Sequence, residues 1–170
     1  MCALLRNISS VSDSDSEDGT ELLCELDSHA DTVVAGSNCI AIGDPTRKVT
    51  VSAFSPGYGR QLFDVGTAAT VWTDPSNGDE YVLVFHESIL LLDGMRNTLV
   101  CTNQLRANGI KVHDCPTQFD KSSPHHIVIP SHKLTIPLQM RGVFSGFVTR
   151  KPDKEDLENL PHVEMTSTAH

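Results

Sequence analysis

Residues 25–39 read ELDSHADTVVAGSNC, and this stretch decides the fold. The apolar run Leu22-Leu23-Cys24, continued at Leu26, leads directly into Asp27 and Ser28. A strand there delivers a carboxylate to the mouth of a sheet, and a side chain held by a rigid element suits catalysis. Taken alone, an Asp-Ser pair is ordinary turn chemistry, and the dipeptide by itself reads as a solvated loop.

The neighbouring sequence favours β structure. From residue 22 onward, short apolar or alternating runs are separated by turn residues: LLCEL, KVTVSAF, TAATVWT, EYVLVFHESILLL, IKV, HHIVIP, KLTIPL and RGVFSGFVT. This spacing predicts an all-β domain. Residues 74–79, DPSNGD, predict a hairpin loop between two antiparallel strands, because proline cannot pair and Asn-Gly accepts positive φ. Residues 97–108, NTLVCTNQLRAN, predict one short core helix, with Leu99, Thr102 and Leu105 on one face and Gly109 suited to the C-terminal cap. A second helix is expected over 153–160, after Pro152 and with acids early, as a peripheral element near the C-terminus.

Residues 9–21, SSVSDSDSEDGTE, hold almost nothing apolar and read as a disordered acidic tail. Ser12, Ser14 and Ser16 each precede a carboxylate and fit an acid-directed kinase, or simply a solvated tail. The chain therefore divides into a tail (1–21), one domain (22–150) and a C-terminal extension with a short helix (151–170).

Composition narrows the chemistry. Thirteen basic against 22 acidic side chains give a net charge of −9, which argues against direct nucleic-acid binding. There is no apolar run of about 18 residues to span a membrane, and residues 1–8, MCALLRNI, are too short for a secretory signal. A soluble cytoplasmic protein is expected. The five cysteines form no C-x-x-C pair and are odd in number, which favours reduced thiols over a disulfide framework. Cys24, His29 and Cys39, or His113 and Cys115, repeat no zinc spacing, so neither metal nor cofactor is expected.

With these elements in place, residues 27–32, DSHADT, take on more meaning. They resemble the D-S/T-G-A signature of retropepsins, the aspartic proteases of retroviruses and retrotransposons, matching at Asp27, Ser28 and Ala30, with Asp31-Thr32 and apolar Val33-Val34-Ala35 following. The closer similarity is to copia-type retrotransposon polyproteins of algae and other protists, where the DSHADT variant stands. It extends from about Cys24 to Thr166. VTVSAF resembles the family's first β-ribbon, and TAATVWTDPSNGDEYVLVFHESI its long hairpin. LLLDGMRNTLVCTNQLRANGI resembles its P-x-M-x-x-N-L-L-x-x-x-Q-L region, although Asp93-Gly94 stands where proline is more usual. RGVFSGFVTRKPDKEDLENLPHVEMT resembles the segment beyond.

The resemblance implies a closed β-barrel with one short core helix, and a homodimer in which each subunit supplies one Asp27 to cleave a peptide or polyprotein. Two carboxylates about 3 Å apart cannot both ionise; they share a proton, one acting as base toward water and the other as acid toward the scissile carbonyl. Leu99-Val100-Cys101 occupies the place of the apolar, apolar, small triplet that supports the catalytic loop. The substrate-covering flap is expected at the ribbon tip, with Pro56, Gly57, Tyr58 and Gly59; an ordinary exposed turn predicts the same residues.

Two departures bear on activity. His29 stands where active retropepsins carry glycine, which lets the backbone approach a partner closely; its imidazole must point away, enter the cleft or act on Asp27. Thr102 stands where the family places an arginine that pairs with the second aspartate, here Asp31, and Arg106 lies a turn further on. Two readings follow: an aspartic endopeptidase, or a catalytically inactive assembly or interaction module that keeps the fold and dimer surface. A third, a Cys/His hydrolase or metalloprotein using Cys24, Cys39, His125 or His126, has no ordering pattern behind it.

Overall fold

The structure is a computed structural model that describes residues 21–52 and 59–168. The acidic stretch up to residue 20 and the ribbon-tip residues Pro56, Gly57 and Tyr58 lie outside the described residues.

Strands predominate. In chain order they are β1 (Leu22–Asp27), β2 (Val34–Ala35), β3 (Ile40–Ser52), β4 (Arg60–Thr73), β5 (Glu80–Leu90), β6 (Thr98–Cys101), β7 (Lys111–His113), β8 (His126–Ile129), β9 (Leu134–Pro137), β10 (Gln139–Arg141), β11 (Phe144–Thr149) and β12 (His162–Glu164). Among the described residues two α-helices, α1 (Thr102–Ala107) and α2 (Lys154–Asn159), and a 3₁₀ turn at Leu92–Gly94 accompany the strands. The main sheet runs β10-β11-β1-β6-β2-β5-β4-β3, with β12 beside β5; a smaller sheet runs β7-β8-β9. Among the described residues no pairing joins β10 to β3, so the main sheet does not close into the expected barrel.

The helix expected over 97–108 is half strand. Residues 98–101 form β6, which pairs parallel to β1, and only 102–107 are helical. The β-branched residues Thr98 and Val100 suit a pleated surface flanked on both sides, and tertiary pairing overrides the helical spacing of Leu99. Thr102 and Leu105 do face the core from α1, and Gly109 follows with φ +76. The 74–79 hairpin forms as read. Asp74 N–H donates to Asp79 O at 2.7 Å, Asn77 Oδ1 accepts from Asp79 N–H at 2.9 Å, and Gly78 takes φ +83.

The second expected helix is also present. Asp153 caps α2 in a reciprocal capping box with Asp156, and Leu157 and Leu160 pack on Val71, Val82 and Val84. The segment beyond it is not peripheral, because β12 pairs parallel to β5 and buries Val163 and Met165 completely. One edge of β5 carries β4, while its other edge is shared by β12 at 82–84 and β2 at 89–90. The small sheet closes over the main one through Ile127, Ile129 and Ile136, which meet Leu83, Phe85 and Phe147 in one core.

Two irregularities shape the site. Strand β3 shifts register against β4 between Ile42 and Arg47, where Gly43 takes φ +70 and Pro45 removes a donor. The bend re-aims the ribbon of residues 47–52 and 60–65, so that Val49, Val51 and Phe63 pack on Val34, Val65 and Ile89. In β5 a second shift places Glu87 at φ +53.

Candidate functional site

Asp27 ends β1, directly across from Cys101 at the end of β6. Because β6 lies between β1 and β2 in the sheet, the loop joining them, residues 28–33, must cross the end of β6 where α1 begins. Sheet topology thus seats the loop on the start of a helix. Asp27 Oδ1 accepts from the backbone N–H groups of His29 at 2.8 Å and Ala30 at 3.2 Å, a side-chain turn that fixes the carboxylate.

The helix start grips the same loop from below. Cys101 is the N-cap of α1, its Sγ accepting from Gln104 N–H at 3.4 Å and donating to Ala30 O at 2.9 Å. Gln104 Oε1 accepts from Val33 N–H at 2.8 Å, and its Nε2 donates to Thr32 Oγ1 at 3.1 Å. Thr32 Oγ1 in turn donates to the carbonyl of Glu87, the bulged residue of β5, at 2.5 Å. A side-chain amide therefore does the stapling. Arg106 turns elsewhere, to Thr102 Oγ1 at 3.1 Å and to Asp114 at 3.3 Å.

A shallow, open pocket lies against this loop. Asp27, Ala30, Asp31 and Thr32 form its polar side. Val34, Ile89 and Leu99 line it from the sheet, and Val51 reaches it from the ribbon. Of the residues singled out in the sequence, Asp27, Ala30, Asp31 and Leu99 therefore meet at one cleft, while Val100 is fully buried behind it and Cys101 holds the loop. Ser28 and His29 are exposed, with Ser28 Oγ and His29 Nδ1 3.2 Å apart. Gly59, at the far end of the ribbon, takes φ +70.

The backbone at His29 makes no demand for glycine. Among the described residues the non-glycine positions with positive φ are Glu87, Leu92, His125 and Lys133, and the bond to Asp27 uses the N–H that every residue except proline carries.

Of the residues of the third reading, Cys24 and Cys39 are neighbours in the buried net around Asn38 and Thr98, whereas His126 lies in the small sheet and His125 just before it. Cys24, Cys39, Cys101 and Cys115 are free. Burial pushes the Cys24 thiol far above its ordinary value and Cys39 up to about 11, which removes both as thiolate nucleophiles. His126 meets His113 edge-on, with ring centroids 5.2 Å apart, in the small sheet. His125 Nε2 pairs with Ser145 Oγ at 2.9 Å, joining the small sheet to β11. Among the described residues no group of three or more His, Cys, Asp or Glu gathers to hold a metal ion, and no helix is long and apolar enough to cross a membrane.

Two predictions arise here. Gln104→Leu keeps the side-chain volume but leaves Val33 N–H and Thr32 Oγ1 without their amide partner. It is expected to lower unfolding free energy by about 1–3 kcal/mol in urea titration. The second concerns pH. Burial holds the His125 imidazole below the ordinary histidine value of 6.5, against an opposing pull from Asp114. The unfolded chain then binds this proton more readily than the folded one. The contribution is complete above 6.5 and is lost as pH falls through the depressed folded value. The urea midpoint should drop as pH falls below 6.5 in the native chain, and His125→Gln should flatten that drop.

Gln104 carried a sequence signal, as the Q of the N-L-L-x-x-x-Q-L pattern, but its partners did not; Asn97, one residue before Thr98 at the N position of that pattern, carried none. Asn97 Oδ1 accepts from Leu23 N–H at 3.1 Å, and its Nδ2 donates to Glu25 at 2.6 Å, tying β6 to β1. No family model, curated protein or solved structure matches the chain.

Proposed function

We propose that the chain is an aspartic endopeptidase of retropepsin type, acting as a homodimer in which two Asp27 carboxylates share one proton. The observation that carries this reading is the convergence at one cleft of a loop-held carboxylate, an apolar wall and a ribbon. Asp27 is fixed by two backbone donors, Leu99 and Val34 form the floor, and Val51 approaches from the ribbon.

The chemistry needs a second copy. One carboxylate cannot be base toward water and acid toward the carbonyl at once, and Asp27 is the one aspartate that the D-S-x-A pattern supplies. An extended peptide lying in the cleft, with apolar side chains against Val34, Val51, Ile89 and Leu99, is the substrate class this lining suits. Closure of the ribbon over it would exclude water from the reacting bond.

The test is peptide cleavage at acidic and neutral pH by the native chain, Asp27→Asn and His29→Gly. Cleavage by the native chain that Asp27→Asn loses supports the protease. Cleavage that appears only in His29→Gly supports the inactive module.

A further inference from the structure

Strands β7 and β8 bring two histidines together. His113 and His126 are register partners across this antiparallel pair, and such partners project to the same face. That face is the outer one. In β8, Ile127 and Ile129 point into the core while His126 and Val128 alternate away from it, and His113 is exposed at the end of β7. The two rings meet edge-on with centroids 5.2 Å apart. Among the described residues the other histidines each engage a ring nitrogen: His29 with Ser28, His86 with Thr67, His125 with Ser145, His132 with Ser131 and His162 with the carbonyl of Leu157. Among those same residues the rings of His113 and His126 have no hydrogen-bond partner and face each other.

We propose that this pair chelates one divalent transition-metal ion of the kind that favours imidazole, represented by Zn²⁺, and that the ion clasps β7 to β8. An imidazole nitrogen holds Zn²⁺ at about 2.0–2.1 Å, which sets the ring centre about 3.2 Å from the ion; at a tetrahedral angle of about 109°, two such centres stand about 5.2 Å apart. The rings already stand at that separation, so the strands need not move. Only the ring orientation has to adjust, by rotation about χ2, which is a broad and soft torsion. Each neutral ring gives the ion the lone pair of one nitrogen and keeps its proton on the other. Asp114, next along the chain, is paired with Arg106, so the remaining positions on the ion fall to water. The net charge of −9 favours a cation over the whole surface. Because the two ligands come from separate strands, no contiguous spacing announces them. The small sheet covers the core through Ile127, Ile129 and Ile136, and a clasp between its strands stabilises that cover by mass action. An edge-to-face contact between the rings would hold them at the same distance with no ion, and the response to Zn²⁺ separates the two.

The experiment titrates Zn²⁺ alone into the full chain by calorimetry, for the native protein, His113→Ala, His126→Ala, the double variant, Cys115→Ser and His132→Ala. The expected result is one such ion per native chain, bound at least about tenfold more weakly in either single histidine variant. The double variant should lose far less than the sum of the two, since a chelate is lost whole when one arm goes. Cys115→Ser and His132→Ala should bind as the native chain does. In the same samples Zn²⁺ should raise the urea midpoint of the native chain and leave that of the histidine variants unmoved. No uptake by the native chain, uptake unchanged in His126→Ala, or uptake abolished by Cys115→Ser each overturns the site. Should a histidine variant fail to fold, the ring-proton resonances of the native chain decide. Zn²⁺ that shifts the His113 and His126 signals together supports the chelate, and Zn²⁺ that leaves both unmoved overturns it.

Discussion

Asp27→Asn is expected to reduce peptide cleavage by roughly 10²–10⁴-fold, the usual scale of general acid–base catalysis, while leaving the fold intact. The asparagine keeps Oδ1 as an acceptor for the N–H groups of His29 and Ala30, so the 28–33 loop retains its anchor. What it loses is the titratable proton. An unfolding midpoint that moves with the activity would mean the carboxylate is structural, so both are measured on the same sample. A sharper version mixes native and Asp27→Asn chains in equal amounts and allows subunits to exchange. If each site needs two carboxylates, only about one quarter of randomly assorted dimers is competent. If each chain acts alone, half of the full activity remains. The difference between a quarter and a half is readable in an initial rate and does not depend on knowing the best substrate.

The strand pattern was legible because its determinants are local. The apolar run across 80–90, the Asn-Gly turn at 77–78 and the acid-led helix after Pro152 each depend on residues within a few positions, and each appears where the sequence places it. The start of α1 was misplaced for the opposite reason. Residues 98–101 satisfy helical spacing through Leu99, but they lie between β1 and β2, and the pairing available there outweighs a weak local preference. Strand β12 and the two-residue β2 are too short to announce themselves, and both exist because β5 offers an edge. The site divides the same way. Asp27 and its loop were readable as a contiguous motif. The groups that hold the loop were not, since Gln104 reaches Val33 across 71 positions of sequence and nothing near either residue marks the other.

The largest stability effect is expected at Asn38, a residue at the end of the opening stretch to which no role was assigned. Its side chain is fully buried where β1, β6 and β11 meet. Its Nδ2 donates to Thr149 Oγ1 at 2.7 Å and to Leu23 O at 3.2 Å, with the Cys24 sulfur 3.6 Å away, and its Oδ1 accepts from Thr98 Oγ1 at 2.6 Å. Thr98 Oγ1 also accepts from Gly36 N–H at 3.0 Å and lies 3.1 Å from the Cys39 sulfur, so one amide closes a polar net inside an apolar sheet. Asn38→Leu preserves volume and strands three polar groups together. At about 1–3 kcal/mol for each buried group left unpaired, partly relieved by the bonds Thr98 keeps, the expected loss is about 4 kcal/mol, a large share of the roughly 5–15 kcal/mol that holds a typical domain folded. Thr149→Val removes one partner and should cost only about 1–2 kcal/mol. The double variant should then cost less than the sum, because the bond it breaks is shared. Urea titration of the four chains measures the coupling, and strictly additive losses would show that the net does not act as a unit. Because β1 ends in Asp27 and β6 in Cys101, a net that fastens these strands to each other also sets the base on which the candidate catalytic loop is built.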